Sequence, residues 1–481
     1  MESADLINIS RSSISRPKGT QNLPLDSVRL SVHQRAQTTA RAGTDPTNLP
    51  DGQHRRVILH SDMNHFYAAV ECLRRPEVRN RPMVVGGDEE LRHGIVLAKN
   101  PLANKLGITT AMTLVEARQR CPELVVVPPD HQRYQHYSRK AREIYYRFTD
   151  LVEPFGLDEA WLDVSGCTLL QGQNRGDRAK GFHQNPHDHF QYGQQIADQI
   201  SQCVKQELGL TVSIGVSWNK VFAKFGSDYK KPNAITLITP DNYRDLVWSA
   251  PVSTLLYVGR ATQRKLNTLG IYTIGDLARA DTALVQGCLG KMGITLQTFA
   301  RGQDSTPLRP LNPERLRADH DVKSVGSGLT TAHDICDEHE ARMLIHILSQ
   351  SVAQRLREQG LRARTVCIQV RDQTDLARYV RQQTLPAPSN ITSEIANAAI
   401  ALLLQNESLD GSRPLRSLTV RATNLISVLE PLQLDIFGDE SKRQEMERLD
   451  ASIDALRRRF GNKCVRRGVE LGDEKLKRPE R

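Results

Sequence analysis

The feature that most constrains this chain is an acid placed at the end of an apolar run. In Val57-Ile58-Leu59-His60-Ser61-Asp62-Met63-Asn64-His65-Phe66-Tyr67 the run reads as a short buried strand, and two aromatics follow. Such a strand delivers the Asp62 carboxylate to a sheet edge. Far downstream, Phe155 to Val164 sets the adjacent acids Asp158 and Glu159 between apolar flanks. A buried carboxylate is costly unless it is paired or metal-bound. Three acids set into apolar strands therefore point to a divalent-cation site. Hard oxygen ligands suit Mg²⁺ held together with a substrate phosphate. Taken singly, the two segments also read as one exposed turn acid and an ordinary hairpin.

The 481 residues suffice for several domains, and 39% hydrophobic content supports real cores. No apolar run is long enough to span a bilayer, and the N-terminus lacks a signal-peptide core. A cytoplasmic protein without a membrane partner is expected. The formal net charge of +10 suggests an anionic partner, most often nucleic acid. A solvated basic surface is the competing reading. The eight cysteines are scattered with no C-x-x-C pair, which points to reduced thiols and against a zinc site or disulfide framework.

Residues 1–55 show no hydrophobic period and read as a disordered leader. After the first acid, a helix continues through Ala68 to Leu73. Strands at 82–87 and 94–98 and helices at 100–107 and 113–120 form a small lobe between Asp62 and the acid pair. A helix at 134–148 leads into the acid-pair hairpin. Residues 171–192 break the pattern; His183, His187 and His189 there read as a polar surface insertion rather than metal ligands, because no apolar frame surrounds them. A helix at 194–208, a half-buried strand at 211–217 and a helix at 218–229 follow. From 251 to 302 the chain is helical. Leu255 to Thr262 and the turn Leu269-Gly270-Ile271 resemble a helix-hairpin-helix, whose backbone N–H groups approach phosphate; Ala261 stands where a second glycine is usual. Beyond a Pro- and Arg-bearing linker lies an α+β domain: helix 338–359, strands 365–371 and 376–383, helix 393–404, strand 417–422. On the last strand Ser417, Thr419 and Arg421 oppose Leu418, Val420 and Ala422. The polar side reads equally as a face for a phosphate backbone or as a plain solvated face. Gln433-Leu434-Asp435-Ile436-Phe437 is an extended peptide able to fill an apolar pocket. A helix at 442–460 and a basic tail close the chain.

The runs SDMNHFYAAVE (61–71), GLDEAWLDV (156–164) and VSIGVSWNKVFAKFGSDYKKPNA (212–234), with the glycine hairpin after them, resemble the Y family of translesion DNA polymerases, DinB or DNA polymerase IV type. The resemblance covers about 56–437. It implies an α+β, multi-domain right hand. The palm would comprise 56–73 and 132–240, interrupted by the insertion 171–192. Small fingers would occupy 74–131, a helical thumb 241–308, a linker 309–322 and a little finger 323–425. A clamp-binding peptide, helix and basic tail would occupy 426–481. The likeness assigns two Mg²⁺ ions to Asp62, Asp158, Glu159 and the backbone carbonyl of Met63. It makes Tyr67 a steric gate against a ribose 2′-hydroxyl and places Lys231 on the triphosphate. It gives Gln433, Leu434, Asp435, Ile436 and Phe437 to a sliding clamp. Template-directed translesion synthesis of low fidelity, without proofreading, is implied, by a monomer acting on primer–template DNA and deoxynucleoside triphosphates. Tyr67 also reads as packing beside Phe66, and Lys231 as a cation at a helix C-terminus.

The pattern departs from the family in the fingers. A tyrosine and an arginine that usually meet the triphosphate are replaced by Pro101 and Asn104. Lys99, Lys105 or Arg92 are the available substitutes, and lysine lacks the bidentate fork of arginine. Ile95 and Leu97 are bulkier than the small residues usual over the nascent pair. Two rival readings follow: a non-catalytic accessory factor that binds DNA and the clamp, and a palm-type nucleotidyl cyclase. For the cyclase, the thumb and DNA-gripping domain have no purpose.

Overall fold

The computed structural model describes residues 56–87, 94–167, 186–309, 322–431 and 440–461, with 464, 465 and 468 besides. These fall into two compact units, 56–66 with 132–309 and 67–131 with 322–468. The leader, most of the insertion with His183, the linker, Arg92 and the peptide Gln433–Phe437 lie outside the described residues.

The first strand, β1 (Ile58–Met63), is buried along its whole length. A turn with His65 at φ 51° leads into α1 (Phe66–Arg74). A three-stranded sheet follows, from β2 (Met83–Gly86), β3 (Val96–Lys99), the helices α2 (Pro101–Lys105) and α3 (Leu114–Arg120), and β4 (Val125–Val127), in the order β3-β2-β4. Asn100 caps α2, its side chain accepting from the N–H of Ala103, and Pro101 takes the first helical position. Thr113 and Glu116 form a capping box on α3. Val84, Val96, Ile108 and Leu114 make the small core of this lobe. The parallel strand β4 was not expected from the sequence, since three valines are too few to show a period.

The central sheet completes itself from segments far apart. After α4 (His131–Tyr145) come the hairpin strands β5 (Val152–Pro154) and β6 (Glu159–Asp163), then α5 (Pro186–Leu208), β7 (Val212–Ser217), α6 (Lys220–Tyr229) and β8 (Ile235–Leu237). The order is β5-β6-β1-β7-β8, with β1 antiparallel to both β6 and β7. Two expectations are corrected here. α5 begins at Pro186, so 186–192 belong to a helix, where Phe190 supplies an apolar anchor at 2% exposure. β7 is buried at every residue rather than on one face, because it lies between β1 and β8 and packs against α5 and α6.

Helices α7 (Arg260–Thr268), α8 (Ile274–Arg279), α9 (Thr282–Leu289) and α10 (Lys291–Ala300) form a helical subdomain. Its core joins that of α6 through Trp218, Phe222 and Tyr243. The turn between α7 and α8 needs Gly270, which sits at φ +76°. In the second unit, β9 (Ser324–Asp337), α11 (Glu338–Glu358), β10 (Leu361–Asp372), β11 (Arg378–Ser389), α12 (Thr392–Leu404) and β12 (Asp410–Ser427) build a four-stranded sheet, order β11-β10-β12-β9, with a large aliphatic core against α11 and α12. On β12 Leu418, Val420 and Ala422 are buried while Ser417, Thr419 and Arg421 are half-buried. Helix α13 (Glu440–Phe460) is the last helix of the described residues.

Gly215 on β7 lets α6 lie against the sheet. A Cβ there would stand 1.9 Å from the carbonyl oxygen of Ala223 and 2.6 Å from the amide nitrogen of Ser227, both backbone atoms that cannot move alone. Gly215→Ala is therefore expected to destabilise the protein by about 2–3 kcal/mol. Thermal and urea unfolding monitored by near-ultraviolet circular dichroism measures this, and wild-type stability in the variant would contradict the close approach.

Candidate active site

Period-2 alternation along β1 puts His60 and Asp62 on one face and Ser61 on the other. Ser61 faces away and shares a hydrogen bond with the Tyr145 hydroxyl at 3.0 Å. Burial pushes that phenol up to about 12. On the other face, the β1–β6 register sets Asp62 directly opposite Glu159. Asp158 stands just ahead of β6, and its carbonyl accepts from the Met63 N–H at 3.0 Å. The structure therefore brings Asp62, Met63, Asp158 and Glu159 to one place.

The helix α6 and the residues after it supply the counter-charge. Lys224 Nζ lies 3.0 Å from Asp62 Oδ2, 2.8 Å from Glu159 Oε2 and 3.2 Å from Asp228 Oδ2. Lys231 Nζ lies 2.7 Å from Asp62 Oδ2 and 2.6 Å from Asp228 Oδ1. His60 is fully buried, with Nδ1 2.8 Å from Ser227 Oγ, Nε2 3.3 Å from Glu159 Oε2, and its ring edge-on to Trp161. Burial lowers the His60 pKa, which favours the neutral ring. Burial opposes ionisation of Glu159 too, but the hydrogen bond from His60 and the charge of Lys224 hold its carboxyl below the usual range. Burial also works against the Lys224 ammonium, yet Asp62 and Glu159 keep its pKa raised. Asp158 is less well compensated, with Lys231 only a minor counter-charge. Burial first, then the charges of Asp62 and Glu159, push it up to about 7.

This donor set fits a hard divalent cation. One atom each from His60, Asp62 and Glu159 lies within 4.8 Å of the others, and Asp158 adds a carboxyl destabilised by its neighbours' negative charge. Carboxylate oxygens in such number suit Mg²⁺ rather than a softer ion. His60, Lys224 and Asp228 were missed in the sequence. His60 was legible as the i−2 neighbour of Asp62 on a strand. Lys224 and Asp228 are four residues apart, a spacing that puts both on the same side of α6. Tyr67 is the second residue of α1 and packs edge-on to His131, 5.9 Å between centroids. Pro101, Asn104 and Lys105 are exposed on α2, and Lys99 donates to Thr110 at 3.4 Å. The side chain of His187 lies outside the described residues.

The raised Asp158 value has a pH consequence. Its folded carboxyl binds a proton more tightly than the unfolded one, so the penalty is absent below about pH 4, grows as pH rises towards 7, and is complete above that. In chelator, Asp158→Asn is expected to exceed wild type in stability at pH 8 by on the order of 3 kcal/mol, with the gap closing towards pH 4. Unfolding free energies across that range test it; a gap independent of pH would remove buried charge as the cause.

Comparison with known proteins shows the family of the chain. The model of the impB/mucB/samB family matches residues 61–228, that of its C-terminal domain 322–436, and that of the DNA polymerase-iota thumb domain 256–304. A DNA polymerase IV of Acetivibrio thermocellus is 45% identical over 424 residues, 88% of this chain and 100% of the relative. DNA polymerase IV 1 of Bacillus subtilis is 33% identical over 425 residues, 88% and 95% respectively. A solved Y-family DNA polymerase chimera shares the fold at TM-score 0.63 and 23% identity, over 77% of this chain and 99% of that one. Palm, thumb and little-finger organisation accordingly applies, and this chain belongs to the Y family of DNA polymerases, in its DNA polymerase IV branch.

Proposed function

We propose that this Y-family DNA polymerase extends a primer 3′ end across damaged template, with low fidelity and without proofreading, using two Mg²⁺ ions. The observation that carries the reading is the β1–β6 register, which sets Asp62 opposite Glu159 with Asp158 beside them. We assign Asp62, Asp158, Glu159 and the Met63 carbonyl as ligands. When bound, the metal supplies Lewis-acid neutralisation of charge on the reacting phosphate. Phosphoryl transfer asks mainly for positioning and charge balance, which these residues provide. Lys224, whose side chain is 13% exposed, remains with the carboxylates. Lys231, at 35%, is the more accessible ammonium, and we assign it to the triphosphate. On the same reading the palm is 56–73 with 132–240, the fingers 74–131, the thumb 241–308 and the little finger 323–425. Gln433–Phe437 would engage a sliding clamp.

A second reading, an accessory factor that binds DNA without catalysis, is favoured by one observation: exposed Pro101 and Asn104 offer no cation to a phosphate. Primer extension by purified protein decides. Asp158→Ala is expected to lose about 10³-fold or more in rate, equivalent to several kcal/mol of charge stabilisation. Equal extension by both proteins would refute the assignment, and DNA binding with no extension by wild type would favour the accessory factor. Tyr67→Ala is expected to raise ribonucleotide incorporation relative to deoxynucleotide by at least about tenfold, or 1.4 kcal/mol. An unchanged ratio would return Tyr67 to a packing role.

A further inference from the structure

The two oxygens of Glu159 have different surroundings. Its side chain is 23% exposed, yet Oε2 is closed off from solvent. Oε2 lies 3.3 Å from His60 Nε2 and 2.8 Å from Lys224 Nζ. His60 is itself held by three elements. It stands on β1 and is fully buried. Its Nδ1 lies 2.8 Å from Ser227 Oγ on α6, and its ring is edge-on to Trp161 on β6, 5.2 Å between centroids. Trp161 is tied to α6 in turn, donating to the Lys220 carbonyl at 2.9 Å. Both ring nitrogens thus face polar atoms while an aromatic wall fixes the plane between them.

Hydrogen-bond chemistry assigns the ring atoms. An ionised carboxylate only accepts, so the nitrogen that faces it carries the proton. That nitrogen is Nε2. A hydroxyl both donates and accepts, so Ser227 Oγ suits Nδ1 in either role. An aliphatic side chain would pack against Trp161 as well as an imidazole does, and a buried polar ring is unfavourable unless its polar atoms are used. Packing alone therefore does not call for histidine at this place.

We propose that His60 is a positioning residue for metal binding: anchored by Ser227, it aims Nε2–H at Glu159 Oε2, fixes the carboxylate plane and leaves Oε1 as the oxygen offered to the cation. The inference rests on the assignment of Glu159 as a metal ligand. Groups that orient a ligand without touching the ion are worth about 10–100-fold in metal affinity. Lys224 does not duplicate the role. Its ammonium is shared among Asp62, Glu159 and Asp228, and it acts as a point charge without a fixed direction.

Two amide substitutions separate orientation from packing. Glutamine carries its amide nitrogen to the place of the imidazole Nε2, whereas asparagine stops near Nδ1 and keeps only the Ser227 side. Mn²⁺ binding by the full chain, read from the electron paramagnetic resonance of the free ion, is expected to weaken about tenfold or more in His60→Asn and to stay within about threefold of wild type in His60→Gln. With Glu159→Gln already in place, His60→Asn should add no more than about twofold, because His60 acts through that carboxylate. Circular dichroism melting in chelator is the folding control. Both amides lose the ring contact with Trp161, so a purely structural role would move the two affinities together. Should the variants fail to fold, heteronuclear NMR of the wild-type imidazole in chelator decides, and Nε2 is expected to be protonated. Equal Mn²⁺ affinity in the two variants, an undiminished asparagine effect beside Glu159→Gln, or a ring bare at Nε2 would overturn the proposal. Wild-type protein that binds no Mn²⁺ would remove the ligand assignment and the proposal with it. Primer extension tests the polymerase reading separately: no extension by wild type, with the Mn²⁺ differences intact, would strike that reading and leave the role of His60 standing.

Discussion

Antiparallel pairing of β1 with β6 forces two carboxylates from distant parts of the chain into direct opposition, and the rest of the palm is arranged to tolerate it. At about 4 Å two like charges repel by on the order of 4 kcal/mol at the effective dielectric of a protein site. That cost exceeds what one well-made hydrogen bond returns. The structure answers with Lys224, whose single ammonium touches Asp62, Glu159 and Asp228, and with Lys231 across Asp62 and Asp228. Asp62, Asp158, Glu159 and Asp228 carry four formal negative charges, and the two lysines return two. The cluster remains short of positive charge, and the deficit concentrates on Asp158, whose ionisation is the most impeded. A site that is electrostatically incomplete in this way attracts a cation and is stabilised by it.

The lysines are useful only because α6 is held close. Its N-terminus is capped by Asn219, which accepts from the Phe222 N–H at 2.8 Å. Its body settles over Gly215, where no side chain intervenes. Trp161, under the His60 ring, donates to the Lys220 carbonyl at 2.9 Å, while Lys220 reaches Glu153 on β5 at 2.7 Å and lies over the Trp161 ring. The helix that brings counter-charge is thus tied to both hairpin strands that bring the acids. Rigid support of this kind keeps reacting groups from drifting by the fraction of an ångström that phosphoryl transfer does not tolerate.

Much of this was legible from residues. The acids of β1 and β6 announced themselves because a charge inside an apolar run is expensive anywhere but at a site. The caps at Asn100 and Thr113 and the aliphatic faces of α11 and α12 follow local rules that a sequence displays directly. What escaped were features that exist only through partners. β4 and β8 are three residues each, and become strands by lying parallel to β2 and β7. β7 alternates Val, Ile and Val with Ser and Gly, which reads as one covered face although both its sides are covered. The role of His60 shows only where its ring is set between Ser227, Trp161 and Glu159. The role of Lys224 shows only where the fold puts it among three acids.

Helix α13 extends the same physics to a place without chemistry. Hydrophobic contact is non-directional, so an apolar face alone would let a terminal helix rotate or slide. The buried Arg357 guanidinium, bonded to Asp450, Asp454 and the Asn390 carbonyl, admits one orientation only. Such a network adds little net stability over apolar packing, but its disruption is costly, which makes it a device for specificity. The chain uses it to keep Leu449, Leu456 and Phe460 turned outward when burying them would have been the simpler course. In the palm, buried charge fixes where a cation belongs. On α13 it fixes which side of the helix faces the body of its domain and which side faces away.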